Sequence, residues 1–266
     1  MAYIWKEWLE QVRGKGLWIG VGMLMLASIF LIAEARSYPT DLGFEALLLS
    51  LFDINVYFIP LFGMFLASFS IYQEKELKTE MILLTKRESY LSFFLKKSVA
   101  VQLSLITTFI GAYLILAVFM KGFLAFHVSS FLYFLLVMIV FLFIFIQLGL
   151  LLGSIAKTRM QLIGINIIIW FFVVFLIDLV FLYYLPAVTY QNIETFSWLY
   201  FSNPIHTMRF FLETKFELFS LTHLSQLMEK FIVMDIWKFL LINSLIWPII
   251  FTGSALIFRT TGAKHE

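Results

Sequence analysis

The sequence predicts an all-α integral membrane protein with six transmembrane helices. Of its 266 residues, 62% are hydrophobic and 14% are charged, whereas a soluble domain is about half apolar and about one quarter charged. The mean hydropathy is +0.94. Because no soluble core could bury so much apolar surface, we expect one membrane domain that comprises residues 1–266.

Six apolar stretches approach the length of about 20 residues that a helix needs to cross a bilayer. They lie at about residues 17–34, 55–72, 99–120, 132–152, 163–184 and 237–258. The apolar segment 42–52 is too short to cross and is expected to form a helix near the membrane surface. With the N-terminus inside, inner segments carry thirteen of the 19 Lys and Arg side chains. The positive-inside rule therefore predicts a multi-pass cell-membrane protein with both termini in the cytoplasm.

An amphipathic pattern at residues 3–13 precedes the first span. The apolar face includes Trp5 and Trp8, and indole rings favour the headgroup level of a membrane. The opposite face holds the polar side chains Lys6, Glu7, Glu10, Gln11 and Arg13. We expect a helix that lies in the inner interface, with an ordinary soluble amphipathic helix as the alternative.

The connection between the second and third spans concentrates charge, with ten charged side chains in residues 71–97. Within it, Leu77, Met81 and Leu84 fall on one helical face, and Glu76 and Glu80 lie towards other faces. An element that docks on a partner needs apolar side chains to fill a groove and charges to set the register. The pattern is compatible with such a docking helix and equally with a positive-inside loop that has no partner.

The connections that follow the fourth and fifth spans also have sequence patterns that predict structure. The turn at residues 154–161 is short and basic, which predicts an antiparallel hairpin of the fourth and fifth spans. Just before it, Gly149 and Gly153 have the GxxxG spacing that allows two helices to approach closely. The long outer segment 185–236 is predicted to carry a second amphipathic helix, near residues 224–231, at the outer surface.

Residues suited to catalysis or metal binding are sparse. The chain has no cysteine, its four histidines lie outside the apolar spans, and it contains no HExxH spacing. It also lacks the GxxxxGK[ST] loop that binds nucleotide phosphates, so ATP hydrolysis would require another chain. Asp178 is an acidic residue deep within a span, which marks either a functional site or a hydrogen-bonded carboxylate near the interface. We expect no enzymatic activity, no metal site and no cofactor in this chain.

The order of these elements resembles the permease subunits of type-2 ABC transporters. That family commonly carries E-x-G-T-x-x-x-L-L-x-x-P-x-x-R after the second span, followed by a lysine as the third span begins. The matching residues are Glu76, Thr79, Leu83 and Leu84, with Lys96 or Lys97 as the later lysine. Lys78 and Arg87 replace the family Gly and Pro. The basic turn 154–159 also resembles the family's turn between spans four and five.

A second stretch resembles one subgroup of this family. Residues 203–209 read N-P-x-x-x-x-R, which resembles NosY-like permeases, membrane subunits associated with nitrous-oxide-reductase maturation. The resemblance implies an outer contact with an extracytoplasmic protein through Asn203, Pro204, His206, Met208 and Arg209.

The family resemblance further implies a dimer of permeases, each bound to a cytoplasmic ATPase that holds ATP and Mg²⁺. The docking, or coupling, helix would comprise Glu74, Glu76, Leu77, Thr79, Glu80, Met81 and Leu84. The N-terminal helix would brace it through Trp5, Lys6, Glu7, Trp8 and Arg13. The expected function is that of an ABC exporter subunit surrounded by membrane lipids, with no nucleic-acid partner.

Three other functions are weighed against export. The first is a non-transporting scaffold that transmits movement to an extracytoplasmic partner. An intramembrane enzyme is disfavoured because no paired catalytic groups occur in the spans. A secondary transporter is disfavoured because the sequence has no internal repeat and few buried charges.

Overall fold

A computed structural model describes residues 2–35, 43–77, 89–217 and 230–262 of the chain. The described residues form helices without any β-strand. The helices are α1 (Ala2–Arg13), α2 (Lys15–Ala35), α3 (Gly43–Glu76), α4 (Tyr90–Phe123), α5 (Val128–Ile155), α6 (Arg159–Ala187), α7 (Ile193–Ser202), α8 (Pro204–Lys215) and α9 (Ile236–Gly262). Helix α6 includes a π-helical turn at Phe172–Leu176 and ends in a 3₁₀ turn.

Six of these helices, α2 to α6 and α9, are long and apolar enough to cross a membrane. Each of the six predicted spans falls within one of them, so the prediction of an all-α, multi-pass membrane protein is confirmed. One expectation is wrong. Segment 42–52 is not a separate surface helix, because α3 runs without interruption through 34 residues from Gly43. Leu47, Leu48 and Leu51 are fully buried, so packing against neighbouring helices extends the second span.

Helix α5 lies at the centre of the bundle and is the most buried of the six spans. It packs most extensively against α3, and next against α9 and α4. A Cβ atom added to Gly149 would lie 2.5 Å from the carbonyl oxygen of Met64, and one added to Gly153 would lie 2.4 Å from that of Ser68. The two backbones therefore approach as closely as the GxxxG spacing predicts.

Helices α7 and α8 form a hairpin that is packed into the bundle. The side chain of Asn243 on α9 donates to the carbonyl of Phe201 over 2.9 Å, and Trp247 donates to that of Ser202 over 3.0 Å. These donors satisfy carbonyl groups at the hairpin tip, as a helix break inside an apolar environment requires. Helix α8 of the outer segment is thus packed into the bundle, whereas half of the side chains of α7 are exposed. The amphipathic pattern near 224–231 lies mostly outside the described residues.

Candidate functional site

The last turn of α3 forms a junction with four other helices. It lies at the start of the segment that is predicted to dock on a partner. We call the contacts of Glu74, Lys75 and Glu76 the polar junction. Three consecutive side chains on a helix point about 100° apart, so each of them reaches a different neighbour. The junction thereby connects α3 to α1, α4, α5 and α6.

Lys97 of α4 is the centre of the junction. Its Nζ donates to the carboxylate of Glu7 on α1 and, over 3.0 Å, to Glu74 Oε1 on α3. Lys97 is 3% exposed and Glu7 is 1% exposed. Two carboxylates share one ammonium group in this buried cluster, so the charges are held together by attraction that water screens little. Separating α1 from α4 would therefore leave the buried charges of Glu7 and Lys97 apart from each other.

Helix α1 uses its polar face in a way that the sequence did not indicate. Glu7 faces the bundle, and Gln11 one turn later donates to Ser70 Oγ of α3 over 2.6 Å. Burial raises the pKa of Glu7, against the opposing effect of Lys97. These two belong to the polar face noted in the sequence, and they attach α1 to the bundle. Trp5 is 62% exposed, which leaves its ring free to face lipid headgroups.

Trp8 is half-buried, and its indole N–H donates to Thr107 of α4 over 3.4 Å. Trp8 stacks on Trp5 with ring centroids 5.0 Å apart. Lys6 and Arg13 are exposed. The helix therefore exposes Trp5 while Trp8 and the buried Glu7 contact α4, an arrangement suited to a brace at a membrane interface.

Lys75 and Glu76 complete the junction from the other side of α3. The ammonium group of Lys75 donates to the carbonyl oxygens of Ser154 and Ala156 over 2.7 and 3.0 Å, which satisfies the C-terminus of α5. Glu76 accepts two hydrogen bonds from Arg159, at 2.7 Å from Nη2 and 3.0 Å from Nε. This fork-like pair attaches α3 to the start of α6, across the basic turn noted in the sequence.

The predicted docking residues fall into two groups. Glu74 and Glu76 belong to the last turn of α3, where both bind neighbouring helices. Leu77 is 72% exposed directly after that turn. Thr79, Glu80, Met81 and Leu84 lie outside the described residues. The docking role of this segment stays a prediction. A displacement of its first residues would act on α3 and on the helices that bind Glu74 and Glu76.

A buried amide network connects three spans and was missed in the sequence. Gln147 of α5 accepts from Ser98 over 2.6 Å and from Gln102 over 3.0 Å, both on α4. Its own amide donates to Thr252 of α9 over 2.8 Å. Polar side chains inside apolar spans were the available signal, since such groups are usually placed where they find partners.

The residues predicted to contact an outer partner lie on the α7–α8 hairpin. Asn203, Pro204, His206 and Met208 are buried within the chain. Arg209 is half exposed, and its guanidinium lies 3.6 Å from Asp53 of α3 and 3.1 Å from Glu213. Of the five residues, only Arg209 offers substantial surface to a partner. Contact with an outer protein remains a prediction.

Asp178, the acidic residue noted within the fifth span, lies next to His206 of α8. Asp178 Oδ1 lies 3.2 Å from His206 Nε2, and the imidazole stacks on Tyr200 with ring centroids 4.3 Å apart. Burial, helped by the charge of Arg209, lowers the pKa of His206 to about 4. The imidazole is therefore neutral near neutral pH. Asp178 thus lies beside the hairpin, but His206 Nε2 makes no hydrogen bond within the described residues, so both interpretations of Asp178 stay predictions.

Acidification is expected to weaken the hairpin through His206. The pKa in the folded state is lower than the usual 6.5, so the stabilisation is complete above that pH and is lost as the pH falls towards 4. We expect the wild type to lose on the order of 2–3 kcal/mol more than His206→Gln across this window. Unfolding in detergent, followed at a series of pH values, measures the difference. Parallel stability curves for the two proteins would contradict it.

Comparison with models of protein families and with curated proteins found no match for this chain.

Proposed function

We propose that this chain is the membrane subunit of an ATP-driven ABC exporter and couples ATP hydrolysis in a separate cytoplasmic ATPase to movement of its helices. The polar junction is the observation that supports this proposal best. A force applied to residues 78–88 would act on the end of α3. The buried charges of Glu7, Glu74 and Lys97 would pass it to α1 and α4.

Transmission requires a rigid connection, and the chemistry of the junction supplies one. The Lys75 and Glu76 contacts reach α5 and α6, so five helices would move with the docking segment. In this proposal the junction faces the cytoplasm, both termini lie there, and a second permease copy completes the dimer. Rearrangement of packed helices at that dimer interface would follow from closure of the ATPases.

The proposal predicts that charge reversal in the docking segment uncouples the ATPase. With the ATPase that co-purifies with the chain, Glu80→Lys is expected to lower the stimulation of ATP hydrolysis at least about ten-fold, the loss expected for a good charged contact. Arg159→Gln breaks an exposed pair with Glu76 and should preserve ATPase binding while lowering stimulation. The readouts are ATPase binding and hydrolysis in proteoliposomes.

A matched control lies on the hairpin side of the bundle. Glu194→Lys reverses an exposed acid that pairs with Lys230 over 3.3 Å and is far from the junction in sequence. It should leave stimulation unchanged. Full stimulation by Glu80→Lys, with normal membrane insertion, would contradict the docking role.

A second candidate function is transmission of movement to an extracytoplasmic protein without transport. It is favoured by α3, one continuous helix that contributes to the polar junction and also contacts Arg209 of the hairpin through Asp53. The two functions differ in one measurement. An exporter moves a labelled lipid or drug across proteoliposomes while it hydrolyses ATP, whereas a transmitter hydrolyses ATP and moves neither.

A further inference from the structure

Helix α1 and the start of α2 present three cationic side chains to the surroundings. Lys6, Arg13 and Lys15 are exposed, and the exposed acid among them is Glu10. None of these four side chains forms an ion pair with another described residue. This surface therefore carries a net positive charge that the part of the chain described by the structure does not neutralise.

The tertiary structure makes this surface more basic than the sequence of α1 suggests. The helix contains two acids, and one of them, Glu7, is turned into the bundle against Lys97. Glu7 is 1% exposed, so it cannot neutralise Lys6, its neighbour in the sequence. Of the acids of α1, only Glu10 then opposes the exposed cations.

The exposed side chains of α1 follow one another around the helix from apolar to acidic. Successive helical residues are about 100° apart. Counted around the axis from Trp5, Leu9 lies at about 40° and Glu10 at about 140°. Arg13 and Lys6 lie between them, at about 80° and 100°. The two cations therefore form the border of the apolar strip, where long basic side chains extend their charged ends to the headgroup level of a bilayer.

The corner between α1 and α2 adds a second exposed indole. Trp18 is 54% exposed, and its Nε1 donates to the carbonyl oxygen of Val12 over 2.6 Å, which satisfies one group at the end of α1. Lys15 is the first residue of α2 and directly follows this corner. Since indole rings favour the membrane interface, Trp5 and Trp18 place the cations beside lipid headgroups.

We propose that this face of α1 binds anionic phospholipids, with Lys6 and Arg13 on the headgroup phosphates and the ring of Trp5 at the same level. Cationic groups without a protein partner complement a negatively charged bilayer surface. The exposed indoles favour a lipid occupant over an acidic protein surface, because they gain from contact with the interface. The proposal does not rest on the ATPase, since the lipid binds whether or not an ATPase is attached.

A fluorescent label on α1 reports which lipid collects there. The chain has no cysteine, so Leu9→Cys provides a single attachment point between Trp5 and Arg13. The full chain is placed in phosphatidylcholine vesicles that contain a small, fixed fraction of a nitroxide-labelled quencher lipid. The quencher is either phosphatidylglycerol or phosphatidylcholine, with the nitroxide at the same position. The ratio of the two quenching constants measures the preference of α1 for the anionic headgroup.

With the native charges, the ratio is expected to be at least about five, because each Lys or Arg near an anionic surface contributes about five-fold to binding. Lys6→Gln combined with Arg13→Gln should bring the ratio close to one. Glu10→Gln removes the opposing acid and should raise the ratio. Salt at about 1 M shortens the screening length to about 3 Å and should lower the native ratio towards one.

A matched control removes the same net charge elsewhere. Lys121→Gln combined with Lys238→Gln replaces two exposed cations, and Lys121 lies about 36 Å along α4 from Lys97. This pair should leave the ratio unchanged. All of these substitutions replace exposed side chains, so the fold is expected to be retained.

A ratio near one for the native charges would overturn the proposal. So would a ratio that the Lys6 and Arg13 substitutions leave unchanged, or one that the control pair lowers equally. Loss of ATPase binding in phosphatidylcholine vesicles on substitution of Lys6 and Arg13, with an unchanged ratio, would assign the face to a protein partner and also overturn lipid binding.

Discussion

Replacement of Lys97 by methionine is expected to destabilise the protein by about 3–5 kcal/mol, the cost of breaking a buried ion pair by removal of one partner. Methionine retains most of the side-chain volume but removes the ammonium group that pairs with the buried Glu7 and also binds the partly buried Glu74. Mutual repulsion and desolvation then act in the same direction. Chemical or thermal unfolding in detergent micelles measures the loss.

Two further variants make the Lys97 test specific. Lys121→Met removes an exposed lysine from the same helix and should alter stability by less than about 1 kcal/mol. Adding Glu7→Gln and Glu74→Gln to Lys97→Met removes both negative charges and should recover part of the stability that Lys97→Met loses. Equal stability of Lys97→Met and Lys121→Met would show that the junction contributes no net stability.

Gly153→Ala is expected to destabilise the bundle by about 1–3 kcal/mol, the typical cost of an overpacked core. Its new methyl group would lie 2.4 Å from the Ser68 carbonyl oxygen and 2.9 Å from Ser68 Cα. These are backbone atoms, so relief requires α3 and α5 to separate. The separation would weaken the most extensive helix contact in the bundle.

The matched control for Gly153→Ala is Gly111→Ala. Gly111 lies inside α4, and a Cβ atom there would meet no atom of the described residues within 4 Å. Alanine favours the helix more than glycine does, so stability should be unchanged or slightly higher. Unfolding of both variants under identical conditions gives the comparison. A Gly153→Ala protein as stable as Gly111→Ala would mean that the close approach of α3 and α5 is easily relieved.

Some contacts could be predicted because their signal is local. Gly149 and Gly153 are four residues apart, so one helical face carries the whole pattern for close packing. The partnership of Glu7 with Lys97 could not be predicted, because the two residues are 90 positions apart. Helical periodicity placed Glu7 on a polar face but gave no means of deciding whether that face met water or a buried lysine.

The α7–α8 hairpin likewise combines a local sequence feature with contacts between residues that are distant in sequence. The Asn-Pro pair is a local feature of the helix start, because Asn203 caps α8 and Pro204 occupies its first turn. How deeply the hairpin tip lies in the bundle could not be predicted from composition. It depends on Asn243 and Trp247 of α9, which satisfy the carbonyl groups at the tip.

The six spans could be predicted from local sequence, because the transfer of apolar side chains into lipid depends on each segment's own length and composition. The need to satisfy every backbone group within lipid then made those segments helical. Helix packing, by contrast, explains why α3 extends through residues 43–76, why Glu7 and Glu74 share Lys97, and why α8 is buried. The reason is that a polar group inside an apolar bundle is stabilised by its partner, and that partner is set by how the helices pack.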